Sequence, residues 1–319
     1  MTTPGPTVAV LLPCYNEGAA IGQTVRGFRD ALPDATVYVY DNNSADDTVE
    51  RARAAGAVVR REPMQGKGHV VRRMFADVDA DVYLMADGDA TYEAAAAPRL
   101  VARLLDERLD MVVGARRSEV EAAYRLGHVF GNRLLTGLLA RLFGRSFDDI
   151  LSGYRVFSRR FVKSFPVLSQ GFEIETEISV HALELRMPVA EELTAYAARP
   201  PGSVSKLSTW RDGWRILTTI ATLYRYERPL SYFLIIAYTL LLLAAILGLP
   251  LFVTYAHTGL VPRLPTAVAI TGLVLLASLS GVCGLILDTV VRGRREVRRL
   301  AYLALPAPGD GKPASRLHP

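Results

Sequence analysis

From Pro229 to Pro262 the chain carries no Asp, Glu, Lys or Arg, and after Arg263 a second uncharged run extends from Leu264 to Leu287. About 20 apolar residues in a helix cross the hydrocarbon core of a bilayer, and uncharged runs of that length seldom occur in a soluble domain. The pattern predicts two antiparallel membrane spans, about 231–255 and 264–287. Gly272, Ser278, Ser280, Gly281 and Gly284 are small enough to let the two helices approach closely.

Arg225 and Arg228 precede the first run and Arg292, Arg294, Arg295, Arg298 and Arg299 follow the second, whereas the connecting loop holds only Arg263. Basic flanks stay on the cytoplasmic side, so both ends are expected in the cytoplasm and the chain in the plasma membrane. The opening MTTPGPTVAVLLP lacks the basic region and the long apolar stretch of a secretory signal. The expected organisation is a cytoplasmic domain over 1–207, a helix over 208–228, the two-helix hairpin over 229–291 and a basic cytoplasmic tail over 292–319. In the second segment Trp210, Trp214, Leu217, Ala221 and Tyr224 recur at steps of three and four. That spacing predicts an amphipathic helix lying in the membrane interface, the alternative being one packed on the domain.

Composition matters once the charge is located. The chain has 319 residues, 50% of them hydrophobic and 22% charged, and its positive mean hydropathy (+0.19) argues against disorder. The net charge is +5. Residues 288–319 hold seven Lys and Arg against three Asp and Glu, and Arg263 adds one more positive charge, so the first 230 residues balance to zero. This distribution fits a membrane surface and argues against nucleic-acid binding. Neither apolar run has a central ionisable residue, which argues against a transporter. Cys14 and Cys283 give neither a metal-ligand spacing nor a disulfide framework.

Ahead of residue 208 the pattern changes. Val8 to Leu12, Thr36 to Tyr40, Ala57 to Arg60, Asp81 to Ala86 and Asp110 to Gly114 read as buried strands. Between them Glu17 to Ala31, Ala45 to Ala55, Gly68 to Asp77 and Ala94 to Glu107 read as helices, with Ser44 or Asp46 expected to cap the second. Alternating strands and helices imply an α/β fold with a mainly parallel sheet covered on both faces. Ligands of such sheets bind beyond the carboxyl ends of the strands. Tyr15-Asn16-Glu17, Asp41-Asn42-Asn43 and Asp87-Gly88-Asp89 stand directly after three of these strands and are expected to share one crevice. Asp87 and Asp89 are hard oxygen ligands suited to Mg²⁺ or Mn²⁺ on a diphosphate. Gln65-Gly66-Lys67-Gly68 opens a helix and can offer backbone N–H groups and a lysine to a phosphate.

Pro13-Cys14-Tyr15-Asn16-Glu17, Asp41 through Thr48, Gly66-Lys67-Gly68, Asp87-Gly88-Asp89, Gly114-Ala115-Arg116, Asp149-x-x-Ser152-Gly153 and Arg199-x-x-Gly202 through Ser205-Lys206 follow one another in this order. The set, covering roughly residues 7–230, resembles family 2 glycosyltransferases, most of all the polyprenyl-phosphate branch that includes dolichol-phosphate mannose synthase. The resemblance implies an A-type glycosyltransferase fold with a C-terminal transmembrane hairpin. It implies donor-binding roles for Pro13, Tyr15, Glu17, Asp41, Asn43, Lys67, Asp87 and Gly88, and a metal on Asp87 and Asp89. It also implies a lipid-phosphate site at Arg116, Arg125, Asn132, Ser152, Arg199 and Lys206, with Asp87, Asp89, Arg116, Arg125 and Asp149 the catalytic set. Asn42 stands where the family usually has a second Asp, and Thr91 where related mannose synthases commonly carry Gln.

The implied reaction is inverting transfer of one sugar from a nucleotide sugar, a UDP-sugar ahead of GDP-mannose, to a polyprenyl phosphate. The alternative is a hydroxyl acceptor on a glycolipid or polysaccharide. A phosphate monoester is already largely anionic at neutral pH and needs cations more than a base, whereas a hydroxyl needs a base. Asp148 and Asp149 could supply that base or brace the arginines, and the second reading is preferred. Glu173, Glu175 and Glu177 near a helix start could do the same or simply favour the helix dipole. A homo-oligomer stays open.

Overall fold

Val8–Cys14 (β1) is an almost unbroken apolar run with side chains buried along its length, so it can only sit inside a sheet. Thr36–Asp41 (β2) and Val82–Met85 (β4) flank it in parallel, and Val58–Arg61 (β3) extends the sheet beyond β2. The computed structural model describes residues 5–117, 147–167, 173–197 and 228–309, with single residues between them. Gly18–Ala31 (α1), Thr48–Ala54 (α2), Lys67–Asp77 (α3) and Ala97–Asp106 (α4) alternate with these strands. Met111–Arg117 (β5) follows α4. Each helix buries one stripe: α1 turns Ile21, Val25 and Phe28 inward at helical spacing. Each such side chain contributes about 1.5–3 kcal/mol by leaving water. Residue 47 stands at the cap position of α2, one beyond the expected Asp46, and makes no side-chain cap bond. Asp46 instead accepts from the backbone N–H of Gly18 and Thr48.

The second half of the sheet goes beyond the expected strands. Arg155–Ser158 (β6) runs antiparallel between β4 and β5, and Val189–Ala195 (β7) pairs in parallel outside β5, giving the order β3-β2-β1-β4-β6-β5-β7. Arg159–Ser164 (α5) and Ile174–Glu184 (α6) lie between them in sequence. β6 has Arg and Ser at its ends, so its hydropathy hides it, yet all four of its residues are buried.

The Arg155 guanidinium donates to the carbonyls of Ile150 and Ser152, at 2.5 and 2.8 Å, and to Ser179 Oγ at 2.9 Å. Burial pushes its pKa down to about 10. Asp110, fully buried, accepts from Ser158, Arg160 and Tyr302.

Pro229–Thr258 (α7) and Leu264–Leu303 (α8) have mean hydropathies of 2.5 and 2.3 in their most apolar windows and are long enough to cross a membrane. Gly259 ends α7 in the left-handed conformation (φ 65°). Residues 217–297 form one compact unit, and residues 1–216 with 298–319 form the other. Within the helical unit a Cβ at Gly284 would lie 2.9 Å from Phe233 Cβ, so close helix approach uses this glycine. Gly272 and Gly281 have open space around their Cα atoms, and Ser278 and Ser280 bond back to their own helix. The tail expected to stand alone starts inside α8. From Arg298 onward it belongs to the first unit, where Arg298 meets Glu184 at 2.6 Å and Tyr302 packs under the Arg160 guanidinium.

In that unit His181 is buried between Phe161 and Phe165. Burial, with the Arg298 charge adding to it, pushes its pKa down to about 3 from the ordinary 6.5. The folded state therefore keeps His181 neutral where the unfolded chain takes up a proton. Stability from this group is complete above about pH 6.5 and is lost as pH falls toward 3. Denaturant unfolding of the detergent-solubilised protein should weaken across that window, and His181→Phe should flatten the slope.

Candidate active site

The loops after β1, β2 and β4 leave the sheet at one edge, and each turns through a left-handed residue: Asn16 (φ 52°), Asn43 (φ 65°) and Ala90 (φ 59°). They are laced together. The Asn16 N–H donates to Ser44 Oγ, the Ala45 N–H to Asn16 Oδ1, and the Glu17 N–H to Thr48 Oγ1. Thr24 of α1 donates to the Gly88 carbonyl at 3.1 Å. A Cβ at Gly88 would come within 2.5 Å of Cys14 Sγ, so the turn between Asp87 and Asp89 can pack on β1 only as glycine. Asp89 is buried and accepts from Thr91 Oγ1 at 2.6 Å. Asp41, also buried, accepts from the Ser44 N–H.

Asn42 explains itself in three dimensions. Its amide donates to the carbonyls of Glu62 and Met64, at 2.9 and 2.7 Å, and its oxygen accepts the Gly66 N–H at 2.7 Å. A carboxylate could make only the last of these contacts. One side chain thus fixes the 62–66 loop and with it the start of α3. There Lys67 Nζ lies 2.5 Å from both Asp87 Oδ1 and Glu175 Oε1. Burial works against the ammonium charge, but the two carboxylates outweigh it and raise the pKa of Lys67.

Arg116, near the end of β5, meets Asp149. Asp149 receives its guanidinium in two bonds, Nε at 2.7 Å and Nη2 at 2.8 Å, and also its backbone N–H. Burial opposes the Asp149 charge, and these bonds override it, so its pKa is lowered. Glu191 on β7 accepts the backbone N–H groups of Asp148 and Asp149, which fixes the segment carrying Asp149. The Arg116 guanidinium also lies over the Tyr196 ring, 5.5 Å from its centre, and Tyr196 packs edge-on against Tyr92. Tyr92 OH accepts the Gly153 N–H at 2.9 Å. A Cβ at Gly153 would sit 2.9 Å from Asp87 Oδ2, so this glycine lets the 149–153 segment close on the Asp87 turn.

Of the residues singled out from the sequence, Pro13, Tyr15, Glu17, Asp41, Asn43, Asp87, Gly88 and Asp89 thus lie on or directly beyond three neighbouring strands, and Lys67 opens α3. Arg116, Asp149 and Ser152 lie on the adjoining part of the sheet edge, Ser152 donating to the Gly114 carbonyl at 2.6 Å. Arg125, Asn132, Arg199, Ser205 and Lys206 lie outside the described residues, as does most of 208–228. Glu175 pairs with Lys67 rather than with an arginine. Glu191, Tyr92, Tyr196 and Arg155 were not legible. Only the acidic Glu191-Glu192 pair inside an apolar strand marked that segment as unusual. Among the described residues no group of three acidic, His or Cys side chains could hold a metal. A cation on Asp87 and Asp89 would have to complete its coordination with diphosphate and water, and the ammonium against Asp87 Oδ1 is a positive charge already accommodated there.

A sheet edge built this way is that of a glycosyltransferase of the A-type fold using a nucleotide-sugar donor. The chain belongs to glycosyl transferase family 2, whose family model matches residues 9–165. It is 38% identical to the glycosyltransferase AglJ of Haloferax volcanii over 80% of this chain and 83% of that one. An undecaprenyl-phosphate mannosyltransferase of Micrococcus luteus is 25% identical over 63% of this chain and 87% of its own. Among solved structures, glucosyl-3-phosphoglycerate synthase of Mycobacterium tuberculosis, in complex with Mn²⁺, UDP-glucose and phosphoglyceric acid, superposes with a TM-score of 0.54. It is 26% identical, over 69% of this chain and 79% of that one.

Glu191→Ala leaves the N–H groups of Asp148 and Asp149 without their acceptor, and a hydrogen bond to a charged group contributes about 1.5–3 kcal/mol. Amide exchange over 147–152 should accelerate at least tenfold, roughly the factor that energy implies. Exchange in β1, β2 and β4 should stay as it is.

Proposed function

We propose that the protein transfers a single sugar, with inversion, from a nucleotide sugar to a polyprenyl phosphate at the cytoplasmic face of the membrane. The observation that carries this reading is the Arg116–Asp149 pair beside the Asp87 turn. Asp149 is already committed to Arg116 through two hydrogen bonds and its pKa is lowered, which makes it a poor proton acceptor for a hydroxyl. A guanidinium carries more N–H donors than the two that Asp149 takes, and one held in place this way suits a phosphate oxygen. The two apolar helices and the Micrococcus relative, whose name states a polyprenyl-phosphate acceptor, support the same reading.

In this mechanism Asp41 and the Pro13–Glu17 loop, with Asn43, hold the nucleoside. Gly88 and Lys67 would hold the diphosphate directly, and Asp87, with Asp89, would hold it through Mg²⁺ or Mn²⁺. The cation would supply neutralisation of the charge that builds on the leaving diphosphate. Lys67 adds to that neutralisation from α3. Arg116 orients the acceptor phosphate, whose oxygen attacks the anomeric carbon on the face opposite the leaving group. The resemblance assigns Arg125, Asn132, Arg199 and Lys206 to the acceptor site, whereas Ser152, fully buried with its hydroxyl proton given to the Gly114 carbonyl, braces the 149–153 segment instead of meeting the phosphate. The nucleotide sugar is a UDP-sugar ahead of GDP-mannose, because the Mycobacterium structure holds UDP-glucose.

Asp87→Asn or Asp89→Asn should lower transfer at least about 100-fold while the protein stays folded, the scale of removing a main transition-state stabiliser. EDTA should have the same effect, and full activity in EDTA-washed membranes would exclude the metal. Membranes incubated with labelled UDP-glucose, UDP-GlcNAc and GDP-mannose should yield a lipid extract whose label is released by mild acid. Arg116→Ala should raise the acceptor KM and leave donor affinity unchanged, with Arg116→Lys restoring only part. The rate should fall below about pH 6, where the acceptor phosphate takes up its second proton. Transfer to a polyprenyl alcohol or glycolipid hydroxyl, with the phosphate inert, would hand the case to the hydroxyl-acceptor reading.

A further inference from the structure

Lys67 is held between two carboxylates of unequal standing. The Asp87 side chain is 32% exposed, whereas that of Glu175 is 7% exposed, and both lie 2.5 Å from the ammonium. Glu175 sits in the first turn of α6, whose next turn is tied by Ser179 to Arg155, so it is anchored from behind. Leaving Glu175 would strand a buried carboxylate, which is expensive. Leaving Asp87 strands nothing if another cation takes its place, because Asp87 opens to solvent and its other oxygen faces Gly153. Lys67 itself extends from the first position of α3, which the Asn42-pinned loop fixes.

We propose that Lys67 and the divalent cation compete for Asp87, so that the cation binds well only together with the donor diphosphate, and that Glu175 is the positioning residue that retains the ammonium once it has been displaced. The proposal rests on Asp87 being a cation ligand, and deepens the donor half of the reading above. A diphosphate brings negative charge that both cations can share. Lys67 then turns from Asp87 to a phosphate oxygen while still bonded to Glu175, and the divalent cation takes the vacated carboxylate oxygen. Without the diphosphate the exchange only replaces one cation by another and crowds positive charge near Asp87. Glu175 sets how far the ammonium travels, and keeps it against the leaving group instead of letting it swing to solvent.

The test is Mn²⁺ binding to the detergent-solubilised full-length protein, followed by the electron paramagnetic resonance of free Mn²⁺, with and without UDP or GDP. The wild type should bind Mn²⁺ weakly alone and at least about tenfold more tightly with the nucleotide. Lys67→Gln should raise nucleotide-free Mn²⁺ affinity about tenfold, the scale of one charged hydrogen bond, and narrow the gain from nucleotide. The double variant Lys67→Gln, Glu175→Gln removes both buried charges together, and should show the same rise if the single variant folds poorly. Glu175→Gln should leave Asp87 as the ammonium's only carboxylate partner and weaken Mn²⁺–nucleotide binding about tenfold, with partial recovery in Glu175→Asp. Unchanged nucleotide-free affinity in both Lys67 variants, with binding abolished in Asp87→Asn, would overturn the competition alone. Undiminished Mn²⁺ binding in Asp87→Asn would overturn the metal reading itself.

Discussion

A charged guanidinium buried in the middle of the sheet is the interaction on which both halves of the site hang. Among the described residues no carboxylate is hydrogen-bonded to Arg155, although Glu175 and Asp149 are near enough to favour its charge. Its bonds go to the carbonyls of Ile150 and Ser152 on one side and to Ser179 of α6 on the other. Burying a charge is tolerable only when its donors are satisfied, so the 149–153 segment and α6 must stand where these oxygens meet the fork. The first of them presents Asp149 to Arg116, and the second presents Glu175 to Lys67. A strand that runs against its neighbours thereby supports the carboxylate partners of both cations, Asp149 for Arg116 and Glu175 for Lys67.

The edge itself is a problem in like charge. Asp41, Asp87, Asp89, Asp149 and Glu191 are spread along the sheet from β2 to β7 and Glu175 opens α6, and the protein answers each with a donor of matching geometry. Asp41 takes a backbone N–H, Asp89 a hydroxyl, Asp149 a guanidinium, Glu191 two backbone N–H groups and Glu175 an ammonium. Only Asp87 combines a cationic partner with substantial exposure. That difference separates a carboxylate able to exchange partners from carboxylates that hold the scaffold. The Tyr92–Tyr196 pair closes the arrangement, because the bridge between these two residues brings the end of β7 onto the turn after Asp89.

Much of this was legible because it is local. Apolar runs of the β1 and β4 kind declare themselves as buried strands, and polar clusters directly after them must emerge at one edge once the strands are parallel. The two apolar helices followed from the absence of charge alone. What stayed hidden depended on partners distant in sequence. β6 carries Arg155 and Ser158 into the interior, so no hydropathy pattern announces it. Asn42 looked like a departure from the family's acidic pair, and turned out to pin the loop before Lys67 with donors that an Asp lacks. Glu175 looked like a first-turn helix acid, and its partner lies 108 positions earlier in the chain.

The sequence by itself determined the α/β alternation, the edge at which the acidic clusters gather, and the two helices apolar enough for a membrane, since periodicity and charge distribution are properties of the chain read locally. Tertiary structure decided which carboxylate meets which cation. Pairing between buried charges is set by desolvation and hydrogen-bond geometry among segments that meet only after the sheet has closed, and neither quantity exists until the fold does.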